Sequence, residues 1–523
     1  MTQNPTLKQV VLLVLTALTV SLVSWALLGS WQKLQIQSQL ELYQVNLVLQ
    51  ATQWQPDTAD ANLVALRRSL LGDEVFEDAL QQYQRVDRAI EAQLTEAKSR
   101  QDGAIDLSQA EALKTTIAQL EAQHDSVDLN IGILQAHQQQ TEAALQTWQK
   151  TLDRPERAAL TANTARSLIA LWEDKSPSPP RTGVGEGSPD LETLIGQQLQ
   201  GWFRDRVLVQ LYQVQSDSEK LTALQASQQA RAATTVFKLA LLNGLSIGGL
   251  LIGFGLLIFL IWQRIAQSKT AILTLDSSHA WSVPWDWEIT CQAIILGFFI
   301  TFFVGQTIAI TLLVPNLFQL FALDTLLPSN RLQALSLLLS YAIAAAGGLF
   351  VLYLSVVPFR PLPKDWFQWE LRPKTLLWGV GGYFAAVPLV IGVSLLNQQL
   401  WQGQGGSNPI LEIALQKQDW WAIACFVATA SIAAPIFEEL MFRGFLLPTL
   451  TAYLPTWGAI IASSLVFAFA HLSLSEVLPL ATLGIVLGVV YTRSRNLLAS
   501  MFLHGLWNAS TLLSLFILGS SAT

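Results

Sequence analysis

Charge is what this sequence is short of. Only 13% of its 523 residues are Asp, Glu, Lys or Arg, against about a quarter in an ordinary water-soluble domain. A deficit that deep leaves too few solvated side chains for a wholly aqueous surface, so many residues must face something other than water. Cysteine is scarcer still. Cys291 and Cys425 both lie in apolar runs without metal-type spacing, which reads as inert packing and leaves the redox compartment open. Positive charge is not in excess either. A net charge of −7 gives no footing for nucleic-acid binding. No His-Glu-x-x-His occurs, so a standard zincin helix has no support, and a serine nucleophile elbow is not expected.

Long apolar runs are what the sequence has instead. A membrane span needs roughly 20 predominantly apolar residues. Runs of that kind cover Val10–Leu28, Val236–Trp262, Ile289–Val314, Leu332–Val357 and Leu376–Leu396. Four more follow at Trp420–Phe437, Trp457–His471, Leu478–Tyr491 and Leu497–Leu518. The expectation is an all-α, polytopic helical membrane protein with about nine spans. The first run is long for a signal peptide, and Trp25-Ala-Leu-Leu makes a poor cleavage site, so residues 1–31 read as an uncleaved anchor. Trp281-Ser-Val-Pro-Trp-Asp-Trp and Trp366-Phe-Gln-Trp read as interfacial anchors.

Between the first two runs the composition changes. Residues 32–235 are rich in Gln, Ala, Leu and mixed charge, with apolar residues at helical spacing, the pattern of an extramembrane helical domain. Leu129-Asn-Ile-Gly-Ile-Leu-Gln-Ala through Ala144 and Trp148 loosely resembles a tetratricopeptide helix pair, with long coiled or antiparallel helices as the plainer reading. Lys175 to Pro189 reads as an extended linker. A second membrane helix then occupies 236–270, and the remaining spans form a domain over 280–523.

Basic residues orient the chain. With a cytoplasmic N-terminus, Arg264, Lys269, Arg360, Lys364, Arg372 and Lys374 fall inside, as do Arg443, Arg493 and Arg495. Arg331 and Lys417 are the exceptions. The protein is expected in the plasma membrane or an internal, organellar one.

Ionisable residues gather in the last spans. Pro435-Ile-Phe-Glu-Glu-Leu-Met-Phe-Arg-Gly444 sets Glu438, Glu439 and Arg443 in or beside an apolar helix. Glu439 and Arg443 share a face and can pair, while Glu438 is rotated about 100° away. His471 ends the next span, and His504 and Asn508 line one face of the last. A charge near the bilayer centre costs several kcal/mol, so such groups normally face a bundle interior or cavity. Together they suit peptide hydrolysis. A glutamate can take a proton from water. An imidazole can hold that water, pass a proton or bind a metal, and an amide can donate to an oxyanion. His124 and His137, in the soluble helices, have no such context and are expected to be exposed.

Glu-Glu-x-x-x-Arg (Glu438, Glu439, Arg443), Phe-x-x-x-His (Phe467, His471) and His-x-x-x-Asn (His504, Asn508), in that order, resemble the CPBP intramembrane proteases. That family holds the CAAX prenyl endopeptidases and the bacteriocin-processing or self-immunity (Abi) proteins. The likeness covers roughly the last hundred residues, with the preceding spans completing the family's eight-helix core. It implies an intramembrane endopeptidase in which Glu438 activates water, with Glu439 and Arg443 in support. It further implies that His471 positions or coordinates that water, and that His504 and Asn508 serve the oxyanion side. A metal-free glutamate mechanism and a zinc held by Glu438, His471 and His504 are both compatible with the resemblance. The implied partners are a peptide or membrane-protein substrate, the lipid bilayer and a protein partner at the helical domain. The competing reading is a catalytically silent membrane scaffold or chaperone of the same fold. A proton-relay transporter is a third, against which no internal sequence repeat is found.

Overall fold

The computed structural model describes residues 6–31, 37–55, 60–102, 107–154, 158–173, 191–267, 270–275, 280–401 and 419–519. The expected linker at Lys175–Pro189 and the charges of Lys269 and Lys417 lie outside the described residues. Those described contain helices and no strand, and the chain is a polytopic helical membrane protein. It divides into two compact units. One comprises Met1–Ile36 with Gly244–Gly519, and the other contains Gln37–Asn243.

The Gln37–Asn243 unit is built from α2 (Gln37–Ala51), α3 (Ala61–Leu71), α4 (Val75–Asp102), α5 (Leu107–His137) and α6 (Thr141–Asp153). It continues through α7 (Ala159–Glu173), α8 (Leu191–Gln198) and α9 (Gly201–Val214) into the first half of α10 (Ser218–Gln267). Helices α5, α6 and α7 pack consecutively. The α5–α6 turn uses Gln139 at φ 64°, a left-handed position that closes a tight helix–helix connection. Trp148 on α6 is fully buried and donates from Nε1 to Leu129 O at 3.2 Å. Gly132 lies beneath that indole, where a Cβ would stand 2.1 Å from Trp148 Nε1. One glycine thus sets how closely the two helices approach. His124 is buried, and His137 packs on Phe76 and Trp202 with ring centroids at 4.4 and 5.2 Å. Neither is the exposed histidine that its sequence context suggested.

The other unit holds α1 (Leu7–Ser30), the second half of α10, α11 (Trp287–Leu320), α12 (Ser329–Phe359) and α13 (Pro373–Trp401). It is completed by α14 (Trp420–Leu450), α15 (Thr456–Phe469), α16 (Leu474–Ser494) and α17 (Leu497–Gly519). Among the described residues eight helices are long and apolar enough to cross a membrane. The expected ninth is the short one. Helix α15 has 14 residues, about 21 Å of rise, less than the ~30 Å hydrocarbon core. Gly244-Leu-Ser-Ile-Gly248 has nucleophile-elbow spacing but lies within the continuous helix α10, and an elbow requires a strand-to-helix turn.

Helix α1 is tied into its unit at both ends. Lys8 pairs with Glu288 at 2.8 Å, and Gln9 donates to the same carboxylate. At the other end Ser30 Oγ accepts from Leu474 N at 3.0 Å, and Trp31 meets Trp401 edge-on. Trp401 in turn donates to Asn397, whose amide donates to Ser475 O. These bonds fix the loop that follows His471.

The tryptophan-rich stretches divide by burial. Trp287 and Trp369 are exposed, as interfacial anchors would be. Trp281, Trp285 and Trp366 are each 5% exposed and belong to the core beneath α14. Trp285 stacks on Phe445 and donates to Thr449 Oγ1, while Trp366 donates to Ser282 O. The anchor expectation fails for these three because their rings are buried within the chain, where Trp285 and Trp366 also find acceptors for their N–H groups. Two arginines also change role. Arg331 is neutralised by Asp419 at 2.6 Å. Arg443 is a fully buried side chain, not a loop charge, so it carries no orientation signal.

Candidate active site

Helix α14 carries the carboxylates through an irregular stretch. Pro435 lacks the N–H that would bond the preceding turn, and π-helical turns lie on either side, at Ala428–Ala433 and Glu439–Leu446. Such widened turns occur frequently at functional sites, where they re-aim side chains. Here they accompany a sharp division between neighbouring glutamates. Glu439 has no exposed side-chain surface, whereas Glu438 retains 15%. Of the two, only Glu438 keeps any exposed side-chain surface.

Glu439 anchors the buried side. Its Oε1 lies 2.9 Å from Arg443 Nη1 and 2.9 Å from His504 Nδ1 on α17. Arg443 also donates to Gly484 O on α16, and its guanidinium lies 4.4 Å from the centre of the Phe467 ring. Three helices are therefore joined through one fully buried ion pair. Removing two charges from water is expensive, and the contacts to His504 and Gly484 O offset part of that cost.

This arrangement also sets the state of His504. A carboxylate can only accept, so Nδ1 donates to Glu439, and Nε2 lies on the opposite edge of the ring. Nε2 stands 3.9 Å from Glu438 Oε2. That separation exceeds a direct hydrogen bond and admits a water touching both atoms. Glu438 Oε2 is buried and has no hydrogen-bond partner among the described residues. Its other oxygen, Oε1, accepts from Tyr341 Oη at 3.3 Å.

The remaining expected residues stand apart from this centre. His471, just beyond α15, has Nδ1 2.9 Å from Phe467 O and its ring 4.9 Å from the Phe467 ring. Phe467 also faces His504 at 5.7 Å, so one phenyl ring lies against both imidazoles and Arg443. Asn508 uses Nδ2 to donate to Ala430 O at 2.7 Å, tying α17 to α14. Glu438, Glu439, Arg443 and His504 are thus brought into contact, with His471 linked to them through Phe467. Sequence reasoning missed Tyr341. Its one signal was a tyrosine in the middle of the Leu-Leu-Leu-Ser-Tyr run of α12.

The expected zinc set was Glu438, His471 and His504. Among the described residues, the group of three such side chains whose ligand atoms all lie within 4.8 Å is a different one, Asp87, His124 and Asp128. There the Arg154 guanidinium contacts both His124 and Asp128 and already supplies the positive charge. At the α14 site, Glu438 and His504 converge but His471 does not complete a compact triad, so no step below is routed through a metal.

Comparison with known proteins identifies this region. Residues 419–510 match the family described as type II CAAX prenyl endopeptidase Rce1-like. The match begins at the Asp419 cap of α14, ends in α17 and contains Glu438, Glu439, Arg443, His471, His504 and Asn508. The chain is also similar to the Bacillus subtilis (strain 168) protein named "Putative membrane peptidase YdiL". The two are 24% identical over 152 residues, 28% of this chain and 61% of that protein. The chain therefore spans about three-fifths of the length of this curated relative. No solved structure matches.

Proposed function

We propose that the chain is an intramembrane endopeptidase that cleaves a peptide bond with water activated by Glu438. One observation carries the reading: the unpartnered Oε2 of Glu438 lies 3.9 Å from His504 Nε2, while His504 Nδ1 on the other edge of the ring is held by Glu439. The Rce1-like match over the same residues supports it.

In this reaction a water is held between two acceptors, Glu438 Oε2 and His504 Nε2. A lone pair of its oxygen faces the scissile carbonyl. Glu438 takes a proton as the oxygen attacks, and the tetrahedral adduct carries the negative charge. Asn508 spends one N–H on Ala430 O and keeps a second for the developing oxyanion. With Nδ1 donating to Phe467 O, His471 presents Nε2 as an acceptor for the N–H of the leaving amine. As the C–N bond breaks, Glu438 gives its proton to the leaving nitrogen, so an amine and a carboxylic acid are released and the carboxylate is restored. Glu439 and Arg443 act through His504 by fixing its tautomer and ring plane.

The substrate class that fits is a peptide or membrane-protein segment entering from the bilayer, with the helical unit at Gln37–Asn243 selecting or regulating it. A cytoplasmic N-terminus follows from the basic residues of the short loops. The test is cleavage of an internally quenched apolar peptide by the full chain in liposomes. Glu438→Gln is expected to abolish cleavage without changing the folded fraction. Cleavage at the wild-type rate by that variant would remove the peptidase reading and favour a scaffold acting through the helical unit.

A further inference from the structure

We infer that Tyr341 is a positioning residue for Glu438, holding one carboxylate oxygen so that the other stays available to water. The inference rests on the peptidase reading and deepens it at the same site.

A glutamate acting as general base needs one oxygen aimed at its water, yet a free carboxylate rotates about its terminal torsion with little preference. The two oxygens of Glu438 have different surroundings. Oε1 receives the Tyr341 hydroxyl at 3.3 Å, whereas Oε2 receives nothing and faces His504 Nε2 at 3.9 Å. Tyr341 is well placed to create that asymmetry. It sits in the middle of α12, is 8% exposed, and has its ring packed edge-on against Phe302 and Phe437 at 5.1 and 6.4 Å. Phe302 and Phe437 also stack on each other at 4.8 Å. An aromatic wall from α11 and α14 thus fixes the phenol, and the phenol fixes the carboxylate.

The other polar groups around Glu438 cannot take this role. Glu439 and Arg443 on its own helix are engaged with each other, and α17 contributes His504, already committed to Glu439. Helix α15 leads to His471, turned to Phe467 O, and α11 contributes phenyl rings. Tyr341 is also outside residues 419–510. The Rce1-like segment therefore takes an orienting group from a helix that precedes it.

Tyr341→Phe removes the hydroxyl and keeps the ring, so the packing of α12 survives. With the internally quenched peptide and the full chain in liposomes, kcat is expected to fall by about 10- to 100-fold, the range for loss of a hydrogen bond to a charged group. KM and thermal stability stay within experimental error of wild type. The effect must pass through the carboxylate. In a Glu438→Asp background, where the shortened side chain cannot reach the phenol, adding Tyr341→Phe should cost less than about 2-fold. An unchanged kcat in Tyr341→Phe overturns the inference. So does an equal loss in both backgrounds, or a loss accompanied by a lower melting temperature, which marks a packing role. If Glu438→Gln retains cleavage, the peptidase reading itself fails and takes this inference with it. If Glu438→Gln is inactive while Tyr341→Phe is normal, only the role of Tyr341 fails.

Discussion

Arg443→Met keeps most of the side chain's volume and removes its charge. In the native site the Glu439 carboxylate takes Arg443 and His504, each at 2.9 Å, on one oxygen, and neither member of the Glu439–Arg443 pair has exposed surface. After the substitution that carboxylate loses its cationic partner, and Gly484 O loses its donor. Breaking a buried pair from one side costs about 3–5 kcal/mol, because an uncompensated charge is left in a desolvated place. Glu439→Gln should cost a similar amount by stranding the guanidinium. The double variant removes both charges, so its cost should fall well short of the sum, giving a coupling of at least about 2 kcal/mol in a double-mutant cycle. The assay is equilibrium unfolding of the full chain in mixed micelles with a rising fraction of denaturing detergent, followed by circular dichroism. An Arg443→Met variant within about 1 kcal/mol of wild type would refute the reasoning, since surface-like pairs contribute no more than that. Strict additivity of the two substitutions would refute it equally.

Three other outcomes follow from the same geometry. Gly132→Ala places a Cβ 2.1 Å from Trp148 Nε1, and overpacking of that kind costs about 1–3 kcal/mol or more; it should appear as a lowered melting transition of the helical unit and a shifted tryptophan emission. Burial, with the nearby charge of Arg206 adding to it, pushes the His137 imidazole down to about 4 from 6.5. A depressed folded value means this contribution to stability is full above pH 6.5 and is lost as pH falls toward 4, so His137→Phe should flatten the acid limb of melting temperature against pH between those values. Prolonged treatment with a zinc chelator should leave Glu438-dependent cleavage unchanged; loss of activity restored by added zinc would show that Glu438, His504 and His471 gather around a metal in the working enzyme.

The spans and the identity of the charged residues were legible in the sequence because both follow from local rules. An apolar run of twenty residues has few alternatives to a buried helix, and a Glu–Arg pair four residues apart shares a face in any helix. What was not legible depended on partners distant in the chain. Trp285 reads as an interfacial ring until Thr449, 164 positions away, is seen to accept its N–H. Arg331 reads as an orientation exception until Asp419 is found beside it. Tyr341 reaches Glu438 across 97 positions, and no spacing rule reports that meeting. The helix ending near His471 looked like a full span because its apolar run continues past Phe469, while the helix itself stops there. His471 itself was grouped with the carboxylates by motif alone, whereas the fold joins it to them through the Phe467 ring.

The central claim is that Glu438 activates water for peptide-bond cleavage. It is tested most directly by comparing wild type and Glu438→Gln, both full-length and in liposomes, for release of a new amino terminus from an internally quenched apolar peptide. The account predicts turnover by wild type and none above background by the variant, at equal folded fraction. Equal turnover by the two proteins would contradict it.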